Sequence, residues 1–311
     1  MIRENIKLMM ISIVIPVFNS ENSLEELYLR LKEVLMLYCD DFEIIMVDDC
    51  SRDGSFKIMQ SLRSRDQRVK IIRLGTNSGQ HNATFCGFNY CQGDYVVTID
   101  DDLQHPPEEI PVLLGKMEAG YDVVFGIPQQ KQHSLYRNWG TILIDKWISL
   151  IFPQSVQIKR SSFRILNRKL IERILSRPRT PLYMAALILL NSSKPGNVEV
   201  RHENRKYGKS NYSIRKSIIM TRTLLIYHSC LPLKAVGLFL KFLFFIAIIL
   251  FFINNLKPWD AGTMSLTMSI LLMIIAGLSG ISLAIIGEYI KRLHKETAQP
   301  VLPYIISEID I

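Results

Sequence analysis

Ile99-Asp100-Asp101-Asp102-Leu103-Gln104-His105-Pro106-Pro107-Glu108 decides how this chain is read. Three carboxylates follow an apolar run at residues 95–99, and two prolines and a glutamate follow the carboxylates. A short apolar run without polar alternation suits a strand buried on both faces of a parallel sheet. Proline and acidic residues at 106–109 suit a helix's first turn, where φ is pre-set and negative charge opposes the dipole. In open α/β sheets, ligands gather beyond the carboxyl ends of the strands. Crowded carboxylates repel one another and call for a cation, and such hard oxygen donors suit Mg²⁺ or Mn²⁺. The alternation of an extended segment would point Asp100 and Asp102 to one side, with Gln104 next on it. A solvated acidic turn is the plainer reading, but the flanking apolar strand and Gln-x-Pro-Pro-Glu argue against it.

Working outward, further apolar, β-branched runs stand at residues 11–17, 42–47, 69–74 and 121–125. Helical patterns lie between them: Leu24, Leu27, Leu31 and Leu35 share one face, and Ser23 with Glu26 has the form of a capping box. Strands alternating with helices predict an α/β fold with a mostly parallel sheet. Two more strand ends carry polar turns. Val47-Asp48-Asp49-Cys50-Ser51-Arg52-Asp53-Gly54-Ser55 follows one, and Pro16-Val17-Phe18-Asn19-Ser20-Glu21 the other. Such carboxylates can accept hydrogen bonds from a base or a ribose, although each turn alone could be an ordinary cap. Three polar turns at neighbouring strand ends form one crevice.

The second half has a different character. Residues 130–212 are less regular and more basic, and residues 213–230 mix isoleucine and leucine with Arg215, Lys216 and Arg222, like a helix lying on a membrane. Residues 235–253 are apolar except for Lys241, and residues 261–287 carry no charge. A bilayer core needs roughly 20 apolar residues in a helix, so both stretches are predicted spans forming a hairpin. Lys234 before it and Lys291, Arg292 and Lys295 after it predict that both ends stay in the cytoplasm. Ala276, Gly280 and Ala284 place small residues four apart, which favours close helix packing. The expected organisation is a domain over 1–212, a juxtamembrane segment over 213–230, a hairpin over 231–290 and a cytoplasmic tail over 291–311. The first residues lack a secretory signal, so the N-terminal domain is expected in the cytoplasm. The five cysteines show no metal-ligand spacing and suit free thiols in a reducing compartment. A net charge of +8 fits an anionic membrane or a phosphorylated substrate. Nucleic acid is disfavoured, because no stripe interleaves basic and aromatic residues.

The Pro-x-aromatic-Asn-x-Glu start, the Val-Asp-Asp-x-Ser-x-Asp-Gly turn and Asp-x-Asp-Leu-Gln-x-Pro-Pro-Glu together resemble family 2 glycosyltransferases with a GT-A-type fold. Asn77-Ser78-Gly79-Gln80-His81-Asn82-Ala83, Arg205-Lys206-Tyr207-Gly208-Lys209-Ser210-Asn211-Tyr212 and Gly287-Glu288-Tyr289-Ile290 resemble the polyprenyl-phosphate branch, which includes dolichol-phosphate mannose synthases. The bacterial undecaprenyl-phosphate enzymes with a C-terminal transmembrane hairpin are the nearest in pattern. The resemblance implies inverting transfer of a sugar from a nucleotide-sugar, with a uridine diphosphate donor as the guess, to polyprenyl phosphate at the inner membrane. It implies that Pro16, Phe18, Asn19, Glu21, Asp48 and Asp49 contact the nucleotide, with Asp101 beside them. Asp100, Asp102 and Gln104 would hold Mg²⁺ or Mn²⁺ against the diphosphate. Arg205, Lys209 and Arg137 would face phosphate, and a homo-oligomer built through the hairpin is expected. Two departures bear on donor choice. Gly126-Ile127-Pro128-Gln129-Gln130-Lys131 lacks the arginine that relatives often carry there, leaving Lys131 for that role. Ser161-Ser162 precedes Phe163-Arg164 where relatives often have an acidic residue or glycine. His81 and His105 are read as structural. A polysaccharide-extending synthase would call for more spans and a Gln-x-x-Arg-Trp motif, and an inactive scaffold would not need the acidic triplet.

Overall fold

A computed structural model describes residues 9–129, 158–176, 184–203, 206, 231–256, 261–298 and 304–311. The expectations for residues 213–230 and for Lys131, Arg137, Arg205 and Lys209 lie outside them. The chain divides into two units, Met1–Asn211 with Pro300–Ile311, and Tyr212–Gln299.

The first unit is an α/β sandwich. Its chain order is β1 (Met10–Val17), α1 (Leu24–Tyr38), β2 (Asp41–Asp48), α2 (Ser55–Arg65), β3 (Val69–Leu74), α3 (Gln80–Tyr90) and β4 (Tyr95–Thr98). A 3₁₀ turn at Pro107–Glu109 then leads into α4 (Ile110–Met117) and β5 (Val123–Pro128). Next come β6 (Arg164–Asn167), α5 (Arg168–Leu175), α6 (Met184–Asn191) and β7 (Pro195–Val200). The last strand is β8 (Ile306–Asp310). The strands form one sheet in the order β7-β5-β6-β4-β1-β2-β3-β8. The β1–β2, β1–β4, β2–β3 and β5–β7 pairs are parallel, whereas β6 and β8 run antiparallel to their neighbours.

Helices cover both faces, which is why the central strands read as predominantly apolar runs without regular polar alternation. Alternate residues of β1 face opposite cores: Ile11, Ile13, Ile15 and Val17 on one side and Val14 on the other. β2 divides the same way, with Phe42, Ile44 and Met46 against Ile45 and Val47. Gly87 lets α3 lie directly on β1, since an added Cβ would collide with Val14. One charged group sits inside the sheet's amino-terminal end. Glu43 is 2% exposed, accepts a hydrogen bond from the Ser12 hydroxyl at 2.5 Å and pairs with Lys70 at 2.6 Å.

The structure departs from expectation at three places. Ser23 does not cap its helix; its hydroxyl donates to the Asp101 carbonyl at 2.6 Å and to the Ser20 carbonyl at 3.1 Å. The hydroxyl is turned toward the carbonyl across the loop, so its oxygen does not accept from a helix N–H. Beyond Asp100 the chain turns rather than staying extended, and Leu103 adopts φ 60, so strand alternation does not order the carboxylates. Residues 291–311 are more than a tail: one helix, Ala261–Ala298, runs on into them, and β8 pairs with β3. Tyr304, 5% exposed, accepts from Asn89 Nδ2 at 3.1 Å and anchors that return.

Among the described residues, the second unit holds two helices, α7 (Leu231–Leu256) and α8 (Ala261–Ala298), which touch one another. Within α8, Ile274–Lys291 is long and apolar enough to cross a bilayer, with 6% of it buried.

Gly87→Ala forces helix and strand apart. The expected outcome is a loss of about 1–3 kcal/mol in stability, read by denaturant unfolding.

Candidate active site

The loops after β1, β2 and β4 meet at the carboxyl ends of these three adjacent central strands. Each contains a non-glycine residue at positive φ: Asn19 at 53, Cys50 at 62 and Leu103 at 60. Such conformations cost about 1–3 kcal/mol each and persist only where the surroundings impose them. Cross-loop hydrogen bonds impose them here. The Asn19 N–H donates to Ser51 Oγ at 3.0 Å, and Arg52 N–H donates to Asn19 Oδ1 at 2.9 Å. Glu21 Oε2 accepts from the Gly54 N–H at 2.6 Å, and Asp53 accepts from the Glu21 N–H at 3.1 Å.

The acidic triplet is dispersed. Asp101 turns toward the β1 loop, where Oδ2 accepts from Phe18 N–H at 3.0 Å and from Ser20 Oγ at 2.5 Å. Burial pushes its carboxyl up to about 7 against the pull of those two donors, and the charges of Asp100 and Asp102 push the same way. Asp100 accepts from Gln80 Nε2 and from Ser162 Oγ, at 2.5 and 2.6 Å. Asp102 Oδ1 accepts from the Gln104 N–H at 3.1 Å, and the Gln104 carbonyl accepts from the Glu203 N–H at 2.8 Å.

Asp49 grips the loop that enters α3. Its two oxygens accept from the N–H groups of Ser78, at 2.6 Å, and Gly79, at 2.8 Å. Burial raises its carboxyl above the usual range despite both donors. Asp48 is fully buried, with Oδ1 accepting from the Ser51 N–H and the Arg73 guanidinium 3.3 Å from Oδ2. Pro16 lies inside β1, and Phe18 is 40% exposed at the rim. The structure therefore brings Pro16, Phe18, Asn19, Glu21, Asp48, Asp49, Asp100, Asp101, Asp102 and Gln104 to one end of the sheet.

Two histidines flank this edge. Burial and the Arg164 charge hold His81 neutral, with its pKa lowered to about 4. Burial also lowers His105 to about 4, and His202 adds to that effect. His105 stacks on Phe163, with ring centroids 5.1 Å apart. Sequence reasoning did not connect Gln80 or Ser162 with Asp100, and did not foresee the ion pairs Arg30–Glu108, Arg30–Glu203 and Arg201–Glu109. Their signal is tertiary: Gln80 and Ser162 lie 20 and 62 positions from Asp100.

Among the described residues, no group of three or more His, Cys, Asp or Glu side chains is arranged to hold a metal. The candidate donor set is two carboxylates and one amide oxygen, all hard ligands. That chemistry fits Mg²⁺ or Mn²⁺ when phosphate oxygens complete the shell.

A mostly parallel α/β sheet with acidic turns at the carboxyl ends of its central strands has the architecture of a nucleotide-binding domain. Residues 12–175 match the family described as Glycosyl transferase family 2, and the chain belongs to that family. It is a glycosyltransferase. An undecaprenyl-phosphate 4-deoxy-4-formamido-L-arabinose transferase of Pseudomonas fluorescens is 33% identical over 297 residues, covering 92% of this chain and 86% of that protein. The enzyme of the same name from Proteus mirabilis is also 33% identical, covering 93% and 91%. The fold is similar to that of Mycobacterium tuberculosis glucosyl-3-phosphoglycerate synthase, solved in complex with Mn²⁺, uridine diphosphate and phosphoglyceric acid. The TM-score is 0.52 at 19% identity, over 70% of this chain and 78% of that one. The GT-A fold read from the motifs is thus the fold observed.

Asp49→Ala leaves two loop N–H groups without acceptors, at about 1–3 kcal/mol each where buried. Faster amide hydrogen exchange confined to residues 78–82 is expected, measured by mass spectrometry.

Proposed function

We propose that this chain transfers a sugar from a nucleoside diphosphate onto undecaprenyl phosphate at the inner membrane, with inversion at the anomeric carbon. The observation that carries this reading is the convergence of the acidic strand ends in a chain whose relatives are undecaprenyl-phosphate sugar transferases over nearly their whole length. Those relatives act, by name, on 4-deoxy-4-formamido-L-arabinose, and that sugar heads the candidates. The guess of uridine diphosphate as the carrier is supported by the fold neighbour bound to that nucleotide.

A polyprenyl phosphate is already an anion near neutral pH and needs no strong base to attack. The work is to bring two anions together and to stabilise the departing diphosphate. Asp100, Asp102 and Gln104 would hold Mg²⁺ or Mn²⁺, whose Lewis acidity would serve the leaving group. Phe18 offers an exposed ring at the crevice rim for a base to stack on. Asn19, Glu21, Asp48 and Asp49 shape the nucleotide's side of the crevice. Asp101 braces the Phe18 loop from beneath through two hydrogen bonds. By the family resemblance, Arg205 and Lys209 would neutralise the acceptor phosphate and Arg137 would face phosphate, a task suited to guanidinium and ammonium groups.

The lipid acceptor explains the second unit. α7 has 26 residues, about 39 Å of helix, enough for a bilayer core of about 30 Å. Its Leu238, Phe242, Phe244 and Phe245 are each more than half exposed, as lipid-facing side chains would be. The chain leaves the sheet-bearing unit before α7 and re-enters it at β8. A chain that starts and ends in one unit on one side of a membrane must cross an even number of times. On this reading α8 supplies one crossing and α7 the other, and Lys234, Lys291, Arg292 and Lys295 support a cytoplasmic side for both flanks. Ala276, Gly280 and Ala284 give the hairpin a surface for self-association into a homo-oligomer.

Two outcomes are expected. Asp102→Asn loses on the order of a thousandfold in turnover. Mass spectrometry of lipids extracted after incubation with a panel of nucleotide-sugars reads both that loss and the sugar; near-normal turnover would remove Asp102 from the proposed site. Above the reaction of the parent chain's own thiols, Pro258→Cys is expected to add labelling by an impermeant thiol reagent only from outside, and Glu308→Cys only from inside. Labelling of both from one side would overturn the even crossing.

A further inference from the structure

Asp100 is gripped from two directions. Gln80 Nε2 donates to Oδ1, and Ser162 Oγ donates to Oδ2. The donors belong to distant parts of the fold: Gln80 opens α3, and Ser162 stands two residues before β6. Each donor is itself fixed. Gln80 follows Gly79, which sits at φ 88 and gives its N–H to Asp49 at 2.8 Å. Only glycine takes that conformation without strain. On the other side, Thr98 Oγ1 donates to the Ser162 carbonyl at 2.5 Å, and Arg164 Nε donates to Thr98 Oγ1 at 3.1 Å. Arg164 is 4% exposed, so this chain of bonds starts from a rigid, buried cation.

An aspartate's terminal torsion is broad, and a carboxylate at a strand end can rotate through many orientations. A cation ligand must present its oxygens in few. Hydrogen bonds to the outer side of a ligand fix its orientation, and losing them typically weakens metal binding tenfold to a hundredfold. We propose that Gln80 and Ser162 are positioning residues that set the Asp100 carboxylate for a divalent cation. The Ser78–Gln80 turn, held at once by Asp49 and by Asp100, joins the β2 strand end to the β4 strand end through one rigid loop. The proposal rests on the reading of Asp100 as a cation ligand. It adds that this ligand's geometry is imposed by α3 and by the segment before β6, not by the acidic loop alone.

Mn²⁺ binding to the full-length protein in detergent, read from the electron paramagnetic resonance of free Mn²⁺, tests this without turnover. Gln80→Ala and Ser162→Ala are each expected to weaken binding about ten- to a hundredfold. Ser162→Thr keeps the hydroxyl and is expected to bind within a few-fold of the parent. Asp100→Ala tests the underlying reading: unchanged Mn²⁺ affinity in that variant removes the cation ligand, and the positioning role goes with it. If Asp100→Ala abolishes binding while Gln80→Ala and Ser162→Ala bind as the parent does, the positioning role alone is wrong. If Ser162→Thr falls as far as Ser162→Ala, packing rather than the hydrogen bond is responsible, and the proposal is overturned.

Discussion

Three consecutive carboxylates at one strand end impose the constraint on which the rest of this edge depends. Two unit charges about 4 Å apart repel by about 4 kcal/mol at an effective dielectric constant of 20. The fold lowers that repulsion by sending the side chains to different partners. Asp101 goes to the β1 loop, Asp100 to α3 and the approach to β6, and Asp102 to its own turn. The turn at Leu103 makes this dispersal possible, because an extended chain would have lined two of the charges up on one side. What remains of the repulsion shows in Asp101, whose carboxyl is raised to about 7, chiefly by burial and further by its two acidic neighbours. A cation at this edge would relieve the same strain that the hydrogen bonds only spread.

Backbone strain and side-chain charge are coupled here. Asn19, Cys50 and Leu103 sit at positive φ after three neighbouring strands, and the acceptors that hold two of those loops are themselves acidic groups. Asp101 holds the loop containing Asn19, Glu21 reaches across to Gly54, and Asp49 holds the turn before α3. Several residues read from sequence as ligands of a nucleotide therefore stitch the loops together. The two roles are compatible, since a crevice rim must be rigid before it can select a ligand.

The first 125 residues were legible because their physics is local. Apolar runs buried on both faces announced β1 to β5, and prolines with acids announced the start of α4. The acidic strand ends were legible for the same reason, as charge placed directly after an apolar run stands out. Ser23 misled because a capping box is a local pattern, whereas its hydroxyl found the Asp101 carbonyl 78 positions away. β6 has only four residues, and β7 includes proline, glycine and asparagine, so neither carries a strand signature. Gln80 and Ser162 were invisible as partners of Asp100 because nothing in a linear chain marks two polar residues as meeting one carboxylate.

β8 was missed for a different reason, and its placement has a consequence for folding. Ile-Ser-Glu-Ile-Asp is short and mostly exposed, and it gains its identity only by pairing with β3. Without it, β3 would be a bare edge with unpaired N–H and C=O groups, a template for association with other chains. Ile72 and Ile309 are paired although they are more than 230 residues apart, with both long helices between them. Contacts so distant in sequence form late, because loop closure must be completed before they contribute. A nascent chain can assemble β1 to β7 first, but the sheet gains its last strand only after α7 and α8 have been made. Completion of the catalytic sheet therefore follows synthesis of the helices proposed to cross the membrane. A chain that lost those helices together with the residues beyond them would keep every acidic strand end and still expose the edge of β3.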